Sequence, residues 1–172
     1  MPIIADNKDW TWVLARACPD CGFDASSTTP ATLATTIPAL LPRWQQALKR
    51  ADVEQRPNDS TWSVLEYAAH IRDVFDLFAG RLEAMLATNN PTFADWDQDQ
   101  AALNGNYDSL EPSEVSGELV QCGQDAAEAF GAVNSELWER RGLRSNGTEF
   151  TILTLSGYFL HELIHHLHDV DA

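Results

Sequence analysis

The sequence predicts an all-α domain, a four-helix bundle with one long crossover between its second and third helices, entered through a short irregular arm. Three observations carry this. Apolar residues recur at spacings of three and four in four separate segments. No strand-like alternation persists anywhere, and there is no internal repeat. A polar connection, residues 88–112, separates the second segment from the third and is long enough to let the flanking helices run parallel.

Residues 1–28 form the arm and residues 29–172 the bundle. The arm holds Trp10, Trp12, Val13 and Leu14, then Cys18-Pro19-Asp20-Cys21-Gly22-Phe23. Its aromatic residues are suited to pin it onto the body. The first helix is predicted from about Pro30 to Arg50, with Thr29 as its cap and Pro30 in the first helical position. Leu33, Ile37, Leu40, Leu41, Trp44 and Leu48 trace its apolar face, and Pro38 and Pro42 are expected to kink or split it. The second helix follows Ser60 or Thr61 and runs to about Ala87, with a stripe of Val64, Tyr67, Ile71, Val74, Phe75, Phe78, Leu82 and Met85. Within residues 88–112, Ala94–Leu103 is expected to form a short helix anchored by Phe93 and Trp96. The third long helix is predicted from Ser113 to Arg140, on a stripe of Val115, Leu119, Cys122, Ala126, Phe130, Val133 and Leu137. Gly142 and Asn146-Gly147 turn the chain into a fourth helix that begins near residues 148–151 and ends at Val170.

Against 26 acidic residues stand 11 basic ones, a formal charge of −15. Phosphate neutralisation needs clustered Lys and Arg, so a nucleic-acid partner is not expected, and neither is an anionic membrane surface. No run of 18 apolar residues predicts a membrane span. The opening MPIIADNKDW lacks a secretory signal pattern, and three Cys is an odd count, so free thiols in a reducing cytoplasm are expected. Homodimerisation through a helical face stays open.

Four of the five histidines lie in the last helix, at 161, 165, 166 and 168, and the fifth is His70 in the second. At about 100° per residue, His161 and His165 project from one face, one turn apart. His70 falls at the edge of a buried stripe, where a polar ring must be bonded or ligated. His70, His161 and His165 therefore make a candidate three-ligand metal site with an open position. Glu66 and Asp73, one turn either side of His70, are candidates to hold its ring. His166 reads as a surface residue, and His168 as too far from His161 to share its ion easily. No catalytic acid or base stands out.

His161-Glu162-Leu163-Ile164-His165 also spells HExxH, the metalloprotease motif with two ligands and a general base. Only seven residues follow His165 to supply the usual downstream ligand, and no edge strand is predicted to bind a peptide, so a protease is not expected. For Cys18 and Cys21 three readings stand open: a thiol-lined turn, a disulfide, or metal ligation, for which no second CxxC or nearby His completes the set.

The segment Trp62-Ser63-Val64-Leu65-Glu66-Tyr67-Ala68-Ala69-His70, with His161-Glu162-Leu163-Ile164-His165-His166-Leu167, resembles the two signatures of the DinB-like (DinB/YfiT-like) metal-binding superfamily. Trp10–Leu14 with the CxxC arm is similar to an actinobacterial branch. The resemblance covers residues 30–170. It implies an up-down-down-up bundle and a divalent ion, zinc or nickel, held by His70, His161 and His165. It also implies activity on a small molecule. The first expectation is S-transfer from a low-molecular-weight thiol such as mycothiol; metal-dependent hydrolysis and a non-catalytic metal- or ligand-binding bundle are the alternatives.

Overall fold

The computed structural model describes residues 9–172; the first eight residues of the predicted arm, and most of the opening segment read for a signal, lie outside them. Four long helices make the body: α1 (Pro30–Ala47), α2 (Val64–Ala87), α4 (Pro112–Gly131) and α5 (Ile152–Asp169), with a short α3 (Gln98–Asn104) in the crossover. α1 and α2 each pack against both α4 and α5. The first two helices thus stand diagonally across the bundle, an order the long crossover makes possible. Among the described residues no helix is long and apolar enough to cross a membrane.

The helix starts follow local chemistry. Thr29, Ser63 and Thr151 each close a capping box with the residue three positions on. α1 is continuous through Pro38 and Pro42, so the two prolines do not split it. Both prolines lie on its exposed face, where water can satisfy the carbonyls that lose a partner. The third long helix also stops earlier than expected, at Gly131. The segment beyond it forms a 3-10 turn (Ser135–Leu137) and then β2 (Arg141–Arg144), which pairs antiparallel with β3 (Glu149–Thr151) through a turn at Gly147, φ +93°. β1 (Thr92–Phe93) from the crossover adds in parallel beside β2. These strands are too short for an alternating pattern to register in sequence. Gly142 lets Phe93 and Met85 close over β2, since a Cβ there would lie 2.6 Å from Phe93.

The crossover is tied down at several points. Tyr107 is buried and donates its hydroxyl to Asp73. Arg81 is sandwiched between Phe78 and Phe93, its guanidinium 5.2 and 5.1 Å from the ring centres.

Glu66 and Asp73, expected to steady His70, are engaged elsewhere. Asp73 pairs with Arg72 and Tyr107. Glu66 accepts from the Ser63 backbone at 2.9 Å and from Arg56 Nε at 2.8 Å. Burial pushes the Glu66 carboxyl up, but the bonds from Arg56 and Ser63 outweigh it and hold the group below its usual value. A depressed folded pKa stabilises above the unfolded value of about 4.3, and that stabilisation fades as pH falls through the folded one. Glu66→Gln is therefore expected to cost about 2 kcal/mol at neutral pH. The gap to wild type should close below about pH 4. Urea unfolding at both pH values checks this; a gap that is the same at each refutes it.

Candidate metal centres

α5 is covered on almost every side. With His161 set at 0° and about 100° per residue, its aliphatic arc centres near 210°, Glu162 and His166 fall near 100° and 140°, and His161 and His165 near 0° and 40°. The aliphatic arc faces the bundle core. The arc of Glu162 and His166 meets α2. The arc of His161 and His165 points away from the core and would be solvent-facing, but the N-terminal arm lies over it.

The three histidines expected on one ion are accordingly divided. Among the described residues, ligand atoms of His70, Glu162 and His166 lie within 4.8 Å of one another, and so, separately, do those of Cys18, Cys21, His161 and His165. His161 and His165 do sit together, ring centres 4.9 Å apart. His70 instead meets His166, edge to face at 4.9 Å. The reason is register: Glu162 and His166 carry the same i, i+4 spacing one residue further round, on the side that faces α2.

In the first cluster His70 is 1 % exposed, and neither ring nitrogen has a hydrogen-bond partner. Trp96 from the crossover stacks on it at 5.3 Å, Trp62 lies at 5.2 Å, and Tyr67 covers His166 at 5.0 Å. Burial drives His70 down to about 3, so its imidazole is neutral. His166, read as a surface residue from sequence, is 15 % exposed. Its Nδ1 lies 2.8 Å from Asp169 Oδ2, and its Nε2 lies 3.4 Å from Glu162 Oε2. Burial opposes charge on both members of that last pair, yet their mutual attraction, with Asp169, raises His166 and lowers Glu162. Asp169 holds Nδ1 and so turns Nε2 towards Glu162, where an ion bound by both would take the place of the Nε2 proton; this is the carboxylate–histidine arrangement common behind metal ligands.

The donor set fits a divalent ion. Two imidazoles and a carboxylate are a recognised catalytic zinc set. An unpartnered buried ring such as His70 costs a few kcal/mol unless something binds it. Glu162 and His166 retain 17 % and 15 % exposure, so the cluster has a solvent side.

The second cluster is drier. Cys18 and His161 are each 1 % exposed and His165 is 9 % exposed. Cys18 Sγ lies 3.7 Å from His165 Nδ1, while both ring nitrogens of His161 lack partners. Trp10 covers both rings, at 5.6 and 4.9 Å, and Phe23 touches His161 at 5.8 Å. Burial pushes the Cys21 thiol up to about 11 and His161 down to about 4. The three cysteines are unlinked, and Cys122 lies apart on α4, its thiol also raised to about 11 by burial. His168 is exposed.

Fold and donor sets together define a four-helix bundle that carries, among the described residues, two clusters of metal-ligating side chains. The chain belongs to the DinB superfamily, whose family model matches residues 26–170. Among solved structures it is similar to YfiT from Bacillus subtilis, described as a probable metal-dependent hydrolase with an unusual four-helix bundle topology. That likeness has a TM-score of 0.76 at 14 % identity, covers 83 % of each chain, and supports the shared fold. No curated protein matches the chain.

Proposed function

We propose that His70, Glu162 and His166 hold a divalent ion and that the chain is a metal-dependent enzyme, hydrolysing a small-molecule substrate. The observation that carries this is His70: fully buried, with both ring nitrogens unpartnered, beside a carboxylate and a second imidazole. The set differs from the expected His70, His161 and His165 by taking its two α5 donors one position on. Held there, a divalent ion supplies Lewis acidity that activates a nucleophile and polarises the group it attacks. His70 and His166 each offer a ring nitrogen and Glu162 an oxygen, and Asp169 fixes the His166 ring. Trp62, Tyr67 and Trp96 give the centre an apolar wall suited to a substrate with a non-polar portion. The hydrolase description of the structurally similar YfiT supports the same reading. Zinc fits the donor set, and nickel is also accommodated by imidazole.

The test compares metal-stripped and reconstituted protein against a panel of small esters, amides and thioesters, with and without added low-molecular-weight thiols. Hydrolysis that requires metal, needs no thiol and is abolished in His70→Ala is the expected result. Turnover that requires a thiol such as mycothiol would replace hydrolysis by S-transfer at the same centre. Activity indifferent to chelation and to His70→Ala would overturn the assignment.

A further inference from the structure

We infer that Cys18, Cys21, His161 and His165 form a second metal site, a closed Cys2His2 zinc centre that clasps the N-terminal arm to α5. It shares no ligand with the His70 cluster and has a structural role in place of a catalytic one.

Three observations converge on it. The four ligand atoms already lie within 4.8 Å of one another. Tetrahedral zinc, with bonds of about 2.3 Å to sulfur and 2.0–2.1 Å to nitrogen, sets sulfur and nitrogen ligands about 3.6 Å apart. Cys18 Sγ and His165 Nδ1 are 3.7 Å apart. His161 is buried to 1 % exposure with both nitrogens unpartnered, so a hydrogen bond between Cys18 and His165 alone would still leave a second imidazole unsatisfied.

Sequence and backbone agree. C-x2-C and H-x3-H are the usual spacings of the two halves of such a site. The cysteine half is folded tightly: Cys18 N–H donates to Phe23 O at 2.8 Å, Gly22 N–H donates to Cys18 O at 2.9 Å, and Gly22 takes φ +74°. The histidine half is one turn of α5. The halves are far apart in the chain, Cys18 and His165 being 147 positions apart, and the fold supplies what the local motif lacked.

Two thiolates and two imidazoles favour zinc over harder ions, and four protein ligands leave no coordination position for water or substrate. The enclosure matches, since Trp10 and Phe23 roof the rings.

Cobalt(II) distinguishes the two centres, because only a thiolate-ligated ion gives intense sulfur-to-cobalt charge-transfer absorption in the near ultraviolet. Full-length protein, stripped by chelator under reducing conditions, is titrated with cobalt and back-titrated with zinc. The expected result is one equivalent per chain with the thiolate band, displaced by zinc. The band should be lost in Cys18→Ser/Cys21→Ser and retained in His70→Ala. Chelation should also expose residues 9–28 to limited proteolysis while the bundle stays helical by circular dichroism. A reduced wild type that binds no thiolate-ligated cobalt overturns the proposal, as does a band that survives in the double variant. If the double variant does not fold, the band in His70→Ala decides: its presence at one equivalent supports the site and its absence refutes it. Failure of the hydrolase reading would show separately, as cobalt binding without turnover.

Discussion

Phe159→Ala is expected to destabilise the bundle by about 4 kcal/mol. Phe159 is fully buried and stands where three helices meet. It stacks on Phe78 of α2 at 4.6 Å with the planes 9° apart, meets Phe75 edge-on at 5.9 Å, and lies 5.2 Å from Phe130 of α4. Truncation removes three aromatic contacts and leaves a void whose walls belong to separate helices, so collapse of any one cannot fill it. Against a total stability of roughly 5–15 kcal/mol for a domain, such a loss brings the chain near its unfolding threshold. Denaturant unfolding should show a lower midpoint at unchanged slope, and Phe159→Leu should recover most of the loss. A cost under about 1 kcal/mol for the alanine variant would mean that the three helices close over the gap.

Asp169→Ala is expected to weaken metal binding at the His70 cluster by about 10- to 100-fold. Its carboxylate lies 2.8 Å from His166 Nδ1 through one oxygen and 3.7 Å from His165 Nε2 through the other. It thus stands behind one ligand of each proposed centre. Asp169→Asn keeps an acceptor for His166 while removing the charge, so it should fall between wild type and alanine. Competition against a chromophoric chelator, following the thiolate band and the total metal separately, reads both sites in one experiment. Because one carboxylate serves both, filling either centre should alter the affinity of the other by the same factor in both directions. Unchanged affinity at both sites in Asp169→Ala would remove this role.

Much of the fold was legible because the four helices announce themselves through apolar periodicity and the first through its cap Thr29, whereas the second is capped by Ser63 and not by the expected Ser60 or Thr61. The strands were not, because two to four residues cannot display an alternation, although Asn146-Gly147 did mark the turn. The burial of His70 and the pairing of His161 with His165 could be read from helical geometry. Their grouping could not: in sequence Glu162 stands as the carboxylate of HExxH, not as a donor, and His161-His165 and Glu162-His166 have identical spacing. Choosing between them requires knowing which arc of α5 faces α2. The partners of Cys18 and Cys21 were hidden for a different reason, since local spacing rules do not reach across 147 positions.

The reach of that clasp bears on how the protein is made. Cys18 and Cys21 leave the ribosome well before His161 and His165. The arm cannot lock down until α5 has docked, so this closure of widely separated segments belongs to the late stages of folding. Until α5 emerges the two thiols are without the imidazoles of His161 and His165. Zinc uptake at the proposed clasp would therefore follow the docking of α5, and in a chain truncated before α5 the two cysteines would lack both imidazoles.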